Sequence, residues 1–148
     1  MPTTAEWEYA CRAGTVTSRF YGATDVLLAQ YGSYINIRED RTWPVARLKP
    51  NDYGLFDMYG NVWEWCHERN MTYLARAPDT LVEDKPDTSL VDDRKERLVR
   101  GSSYKYPPNQ LRSALYDYYS PEHNHTDFGL RPARTIASHG PEALQLAE

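Results

Sequence analysis

The segment Asp57-Met-Tyr-Gly-Asn-Val-Trp-Glu-Trp-Cys66 concentrates the residue types that could do chemistry in this chain. Two tryptophans flank Glu64, Asp57 stands just upstream of a Gly60-Asn61 turn, and Cys66 closes the segment. Indole rings on both sides keep water from a carboxylate, and a carboxylate out of water needs a hydrogen-bonded or charged partner. The other cysteine is Cys11, and the separation of the two thiols matches no compact metal-ligand pattern. Each thiol reads as a small buried hydrophobe. His123 and His125 in Pro-Glu-His-Asn-His-Thr-Asp would share a metal if they lay on a strand, where alternate side chains point the same way. The Pro, Asn and Asp around them favour a polar loop instead.

These residues need a scaffold, and 148 residues suffice for one domain with one core. With 41% hydrophobic and 26% charged residues the composition is that of a globular, water-soluble chain. A net charge of −4 gives no electrostatic reason to expect nucleic acid as a partner. No apolar run reaches the roughly 18 residues of a membrane span. The opening Met-Pro-Thr-Thr-Ala-Glu has neither the basic start nor the apolar stretch of a secretion signal. Unpaired thiols lean toward a reducing, cytoplasmic setting.

Twelve Tyr and four Trp against three Phe mean that most rings carry a polar handle. Two readings stay open. The rings fill an irregular core with hydroxyls reaching water or backbone, or they form a binding face, where Tyr and Trp give contact area at low entropy cost.

Residues 3–14 are expected to form a helix, with Thr3 or Thr4 as cap, Glu6 and Glu8 in the first turn, Trp7, Ala10 and Cys11 on one face, and Gly14 as the stop. Beyond it helical periodicity is scarce. A short helix is expected over 24–31 and a short strand over 42–48, the latter ended by the Lys-Pro-Asn-Asp turn. The stretch 54–61 reads as a compact loop with short strand pieces, 62–66 as a buried strand, and 97–104 as a return to strand. Seven acidic residues between Asp79 and Glu96 mark 78–97 as an exposed excursion. Residues 137–148 read as a weak helical tail. The pattern is that of an α+β fold.

Five anchors, in order, carry a resemblance: Pro2-Thr-Thr-Ala-Glu-Trp-Glu-Tyr-Ala-Cys-Arg-Ala-Gly14, Pro50 through Trp65, Val99-Arg-Gly-Ser-Ser-Tyr104, Leu111-Arg-Ser-Ala114, and Gly129-Leu-Arg-Pro-Ala-Arg134. Together they resemble the formylglycine-generating enzyme (sulfatase-modifying factor) family. The resemblance implies an irregular, C-type-lectin-like α+β fold of low secondary-structure content, here spanning 1–136. Family domains extend well upstream of the first anchor, so the chain is expected to be the C-terminal part of such a domain.

The best-known members oxidise a sulfatase cysteine to formylglycine with oxygen and a copper(I) ion held by two cysteines. The resemblance puts Tyr106 at the first of those positions and the second within the shortened 107–110 segment. A phenol does not replace a thiolate for Cu(I), because soft sulfur ligands select that ion; copper is not expected. Some relatives pair the cysteine of the first helix with the residue here occupied by Pro132, which leaves Cys11 unpaired.

Relatives also hold a structural calcium, and the resemblance maps its ligands onto Asp57, the carbonyls of Gly60 and Val62, and Glu64, a hard-oxygen set of the kind Ca²⁺ takes. The bland reading is that Asp57 and Glu64 are exposed or paired with arginines; Arg131 and Arg134 are plain ion-pair candidates. A second calcium site has no clear match around 36–40. The substrate groove of relatives maps onto Ser103, Tyr104, Tyr106 and Arg112, and a groove lined by tyrosines, including Tyr106, Tyr116, Tyr118 and Tyr119, would suit a peptide or carbohydrate. The expectation is therefore a calcium-steadied, lectin-like binding or accessory module that is not an oxidase; the alternative is a formylglycine-generating oxidoreductase.

Overall fold

The computed structural model describes residues 1–35, 41–69 and 95–134. Of the acidic excursion only 95–97 fall among them, and the tail over 137–148 and the stretch 36–40 lie outside.

Helix α1, Thr4–Arg12, is set by its own ends. Thr3 is extended (φ −71°, ψ 163°), its hydroxyl accepts from Glu6 N at 3.1 Å, and Glu6 Oε2 accepts from Thr3 N at 2.8 Å. This reciprocal box satisfies two donors that the first turn would leave orphaned. The helix stops where Ala13 turns left-handed (φ 47°) and returns its N–H to Tyr9 O. Gly14 follows at φ 87°, a conformation glycine adopts without strain. The expected start, stop and buried face of this helix all stand.

Four strands make the main sheet, in the order β5-β4-β3-β6: β3 is Trp63–Arg69, β4 Arg97–Arg100, β5 Tyr116–Tyr119 and β6 Phe128–Gly129. β4 runs antiparallel to both neighbours, while β6 lies parallel to β3 with Trp63 opposite Phe128 and Glu64 opposite Gly129. The two-residue side-chain period sends Glu64, Cys66 and Glu68 toward α1, and Trp63 and Trp65 to the other face. Glu68 accepts from Thr4 N through both oxygens, at 2.7 and 2.9 Å, placing a negative charge at the positive end of α1.

A buried arginine locks helix to sheet. Arg100 is 2% exposed and donates to Thr4 Oγ1 (2.6 Å), Glu8 Oε2 (2.9 Å) and the carbonyls of Ser113 and Leu115. The core then gathers Trp7, Cys11, Phe20, Leu28, Met58, Tyr59, Leu98 and Leu111.

A second, minimal pairing joins β1 (Gly32–Ser33) in parallel to β2 (Tyr59–Gly60), preceded by α2 (Leu28–Tyr31). Gly60 sits at φ 82°, and a Cβ there would come within 1.8 Å of Ser33 O. Asn61 continues left-handed (φ 65°), donates its N–H to Ser33 O, and uses its side chain to bind both N–H and carbonyl of Trp43.

Three expected elements differ. The strand expected over 97–104 ends at Arg100, where Gly101 and Ser102 turn left-handed. The short helix covers only Leu28–Tyr31, not 24–31. The stretch 42–48 is not a strand: Ala46 lies at φ 62°, which ends any extended run, and Trp43 is claimed by Asn61. Among the described residues the result is an irregular α+β architecture of one substantial helix, a four-stranded sheet, a minimal second pairing and much ordered loop. No helix among the described residues is long and apolar enough to cross a membrane.

Candidate functional site

After β4 the chain turns through two left-handed residues, Gly101 (φ 89°) and Ser102 (φ 65°). A Cβ on Gly101 would press on the Trp7 indole at 3.1 Å, so the backbone passes close over the core helix at this point. The turn leads into Ser103, Tyr104, Lys105 and Tyr106, and brings Tyr106 onto Trp63 of β3.

Ser103 is fully buried and donates to Asp127 Oδ2 at 2.8 Å; Lys105 Nζ takes the other oxygen at 2.8 Å. Burial alone would raise the Asp127 pKa, but the hydrogen bonds from Lys105 and Ser103 outweigh it and hold the carboxyl below its ordinary value. The bond to Asp127 in turn raises Lys105. Tyr104 is also buried, its hydroxyl at the edge of reach of Thr126 Oγ1.

Tyr106 is half-buried and meets the Trp63 ring edge-on, centroids 5.3 Å apart at 82°. Its hydroxyl lies 3.5 Å from that of Tyr119, which donates to Asp117 Oδ2 at 3.1 Å. Burial first, then the neighbouring Tyr106 and Asp117, push the Tyr119 phenol above its usual range. Phe128 stands edge-on to Tyr119 at 4.9 Å, and Trp65 packs on Phe128 at 5.4 Å.

Of the four groove positions, Ser103, Tyr104 and Tyr106 are therefore brought into one turn. Ser103 and Tyr104 turn their side chains inward rather than to a ligand, while Tyr106 keeps a partly open ring. Arg112 lies past the 3₁₀ turn Pro108–Gln110, with its side chain exposed. Tyr119 was expected among the groove tyrosines, whereas Asp117 and Asp127 escaped sequence reasoning, since they reach this corner only through the β4–β5 pairing and the loop before β6.

Both thiols lie elsewhere. Cys11 and Cys66 are buried and unpaired, and burial raises their pKa to about 11 and about 12 respectively. Cys66 faces α1, on the opposite side of the sheet from Tyr106. The donors at the copper position are a packed phenol and its tyrosine neighbour, which do not fit a Cu(I) ion. His123 and His125 stack at 4.2 Å and 15° in a loop rather than on a strand, as their composition suggested. Among the described residues, no three His, Cys, Asp or Glu side chains gather as a metal site.

Glu64 lies on the α1 face at the end of a cleft of about 400 Å³, whose walls include Leu55, Phe56, Asp57, Val62, Leu130 and Arg131. Its Oε2 accepts from Trp7 Nε1 at 2.7 Å and from Arg131 Nε at 2.8 Å, and its Oε1 accepts from Arg131 Nη2 at 2.7 Å. Arg131 Nη2 also donates to Phe56 O at 2.9 Å. Of the expected calcium ligands, Asp57, Val62 and Glu64 thus line one cleft, and Glu64, Asp57 Oδ2 and Gly60 O already accept hydrogen bonds. Asp57 Oδ2 accepts from Ala46 N at 2.7 Å, and Gly60 O accepts from Val62 N at 2.9 Å. The set does not fit a calcium ion as the chain stands, because a cation already occupies Glu64. The arginine-paired reading of Glu64 is the one observed. The parallel pairing of Glu64 with Gly129 is what brings Arg131 within reach.

Comparison with known proteins agrees with this architecture. Residues 1–136 match the model of the sulfatase-modifying factor enzyme 1-like domain. The chain is 32% identical to a formylglycine-generating enzyme of Streptomyces coelicolor, over 90% of this chain and 46% of that protein. It is 29% identical to a serine/threonine-protein kinase, pkn1, of Chlamydia caviae, over 92% of this chain and 21% of that one. In three dimensions it resembles Treponema denticola variable protein 1, with a TM-score of 0.75 and 30% identity over 88% of this chain and 45% of that chain. The chain spans less than half the length of these relatives.

Proposed function

The chain belongs to the sulfatase-modifying factor enzyme 1-like domain family, and from that premise we propose that it is a lectin-like binding or accessory module rather than an oxidase. One observation carries the reading: where thiolate chemistry would be needed, Tyr106 packs on Trp63 and shares a hydroxyl contact with Tyr119. A neutral phenol is a poor ligand for Cu(I), whose affinity comes from soft sulfur. The two thiols present are shielded in the core and held protonated at neutral pH, so neither is available as a metal-binding thiolate.

The ligand in this reading is a peptide or carbohydrate. The support is the half-open ring surface of Tyr106, Tyr119, Phe128 and Trp65, with Asp117 beside it as a hydrogen-bond acceptor. Rings of this kind give stacking area at little entropic cost. Similarity to chains bearing names as different as a kinase and a variable protein supports a fold not tied to one chemistry. Calcium has no part in this proposal, for the reason seen at Glu64.

The test is a Cu(I) titration of the chain, followed by aerobic incubation with a peptide carrying Cys-x-Pro-x-Arg. The expected outcome is no tight copper binding and an intact peptide thiol. Oxygen-dependent loss of the thiol with formation of an aldehyde would overturn the reading in favour of a formylglycine-generating oxidoreductase.

A further inference from the structure

We propose that Arg131 is the resident cation of the Trp-Glu-Trp site: its guanidinium does the structural work for which this arrangement of oxygens otherwise suggests a divalent metal. The domain is then stable without calcium. The inference is independent of the oxidase question, and its failure would leave that reading standing.

Three observations carry it. Glu64 is 6% exposed, and a carboxylate so buried needs a compensating positive charge. Arg131 meets it with two parallel N–H donors at 2.7 and 2.8 Å, the planar fork that matches a carboxylate. Trp7 Nε1 adds a third donor at 2.7 Å, so both oxygens are engaged.

The guanidinium also crosslinks as a metal ion would. Through Nη2 it grips Phe56 O, and so ties the segment entering the Asp57–Asn61 turn to β3 and to the closing stretch of the chain. Meanwhile Asp57 closes its own loop onto Ala46 N, and Gly60 O is turned back to Val62 N. A divalent ion bound to Glu64 would have to break the fork or sit beside a like charge.

The experiment is thermal unfolding of the full chain in excess EGTA and in millimolar calcium. Identical melting temperatures are expected. Saturation of a calcium site to about a hundred times its dissociation constant would raise the melting temperature by roughly 5–10 °C, and that result would overturn the proposal. Arg131→Ala is expected to melt lower than the parent and, with Glu64 released, to gain a calcium response that the parent lacks. An Arg131→Ala variant that melts with the parent would also overturn it. If that variant does not fold, Arg131→Lys, which keeps the charge but loses the fork, is expected to melt below the parent; equal stability there would count against the proposal.

Discussion

The indole N–H of Trp7 donates to Glu64 Oε2 at 2.7 Å, joining the core helix to the central strand through a polar contact in the middle of an apolar interface. Trp7 is 1% exposed, so no water can substitute for it. Trp7→Phe keeps most of the ring and removes the donor. We expect a loss of about 1–3 kcal/mol, the range for leaving a buried acceptor short of a bond, measured by urea unfolding. Stability equal to the parent would show that Arg131 alone satisfies Glu64.

Gly60 has no room for a side chain: at φ 82° a Cβ would approach Ser33 O to 1.8 Å. Gly60→Ala must separate β1 from β2 and shift the Asn61 turn that holds Trp43. A loss of about 4 kcal/mol or more, or failure to fold, is expected in far-UV circular dichroism and denaturant melts. An Ala variant as stable as the parent would mean that the β1–β2 contact does not form in solution.

Asp127 has a folded-state pKa below its ordinary value, with the hydrogen bonds from Lys105 and Ser103 overcoming the effect of burial. A depressed carboxylate stabilises the fold above the unfolded pKa, near 3.9, and that contribution is lost as pH falls through the lower folded value. The acid limb of the stability curve should therefore be shallower in Asp127→Asn than in the parent below about pH 4. Urea midpoints measured across that range decide it, and parallel curves would refute the assignment.

Burial raises the thiols of Cys11 and Cys66 to about 11 and about 12. The neutral forms are favoured by the fold, so this stabilisation is full below the unfolded thiol pKa and disappears as pH rises through the folded values. At pH 8 a thiol-reactive disulfide reagent should label neither cysteine in the native chain and both in denaturant. Rapid native labelling of either would mean that the core opens locally.

Much of this molecule was readable along the chain, because some of its structure is made by near neighbours. Helix α1 has its cap, its acidic first turn and its stop within one short span, so Thr3, Glu6 and Gly14 announced it. The strand through Trp63 was legible from its apolar run, and the lack of sulfur around Tyr106 is a matter of residue identity alone. The family, and with it the irregular α+β fold, follows from anchors that need no coordinates.

Other features depend on which distant segments meet. An apolar run over 42–48 reads as strand until Asn61 captures Trp43 and Ala46 turns left-handed. Ser103 and Tyr104 look available for a ligand until the Gly101–Ser102 turn folds them inward onto Asp127 and Thr126. Glu64 needed a partner by composition, and in one dimension calcium was the expected one, with arginine as the bland alternative. Only the parallel docking of β6 on β3 selected Arg131, since a charge pair forms between whichever groups the backbone hydrogen bonds bring into reach.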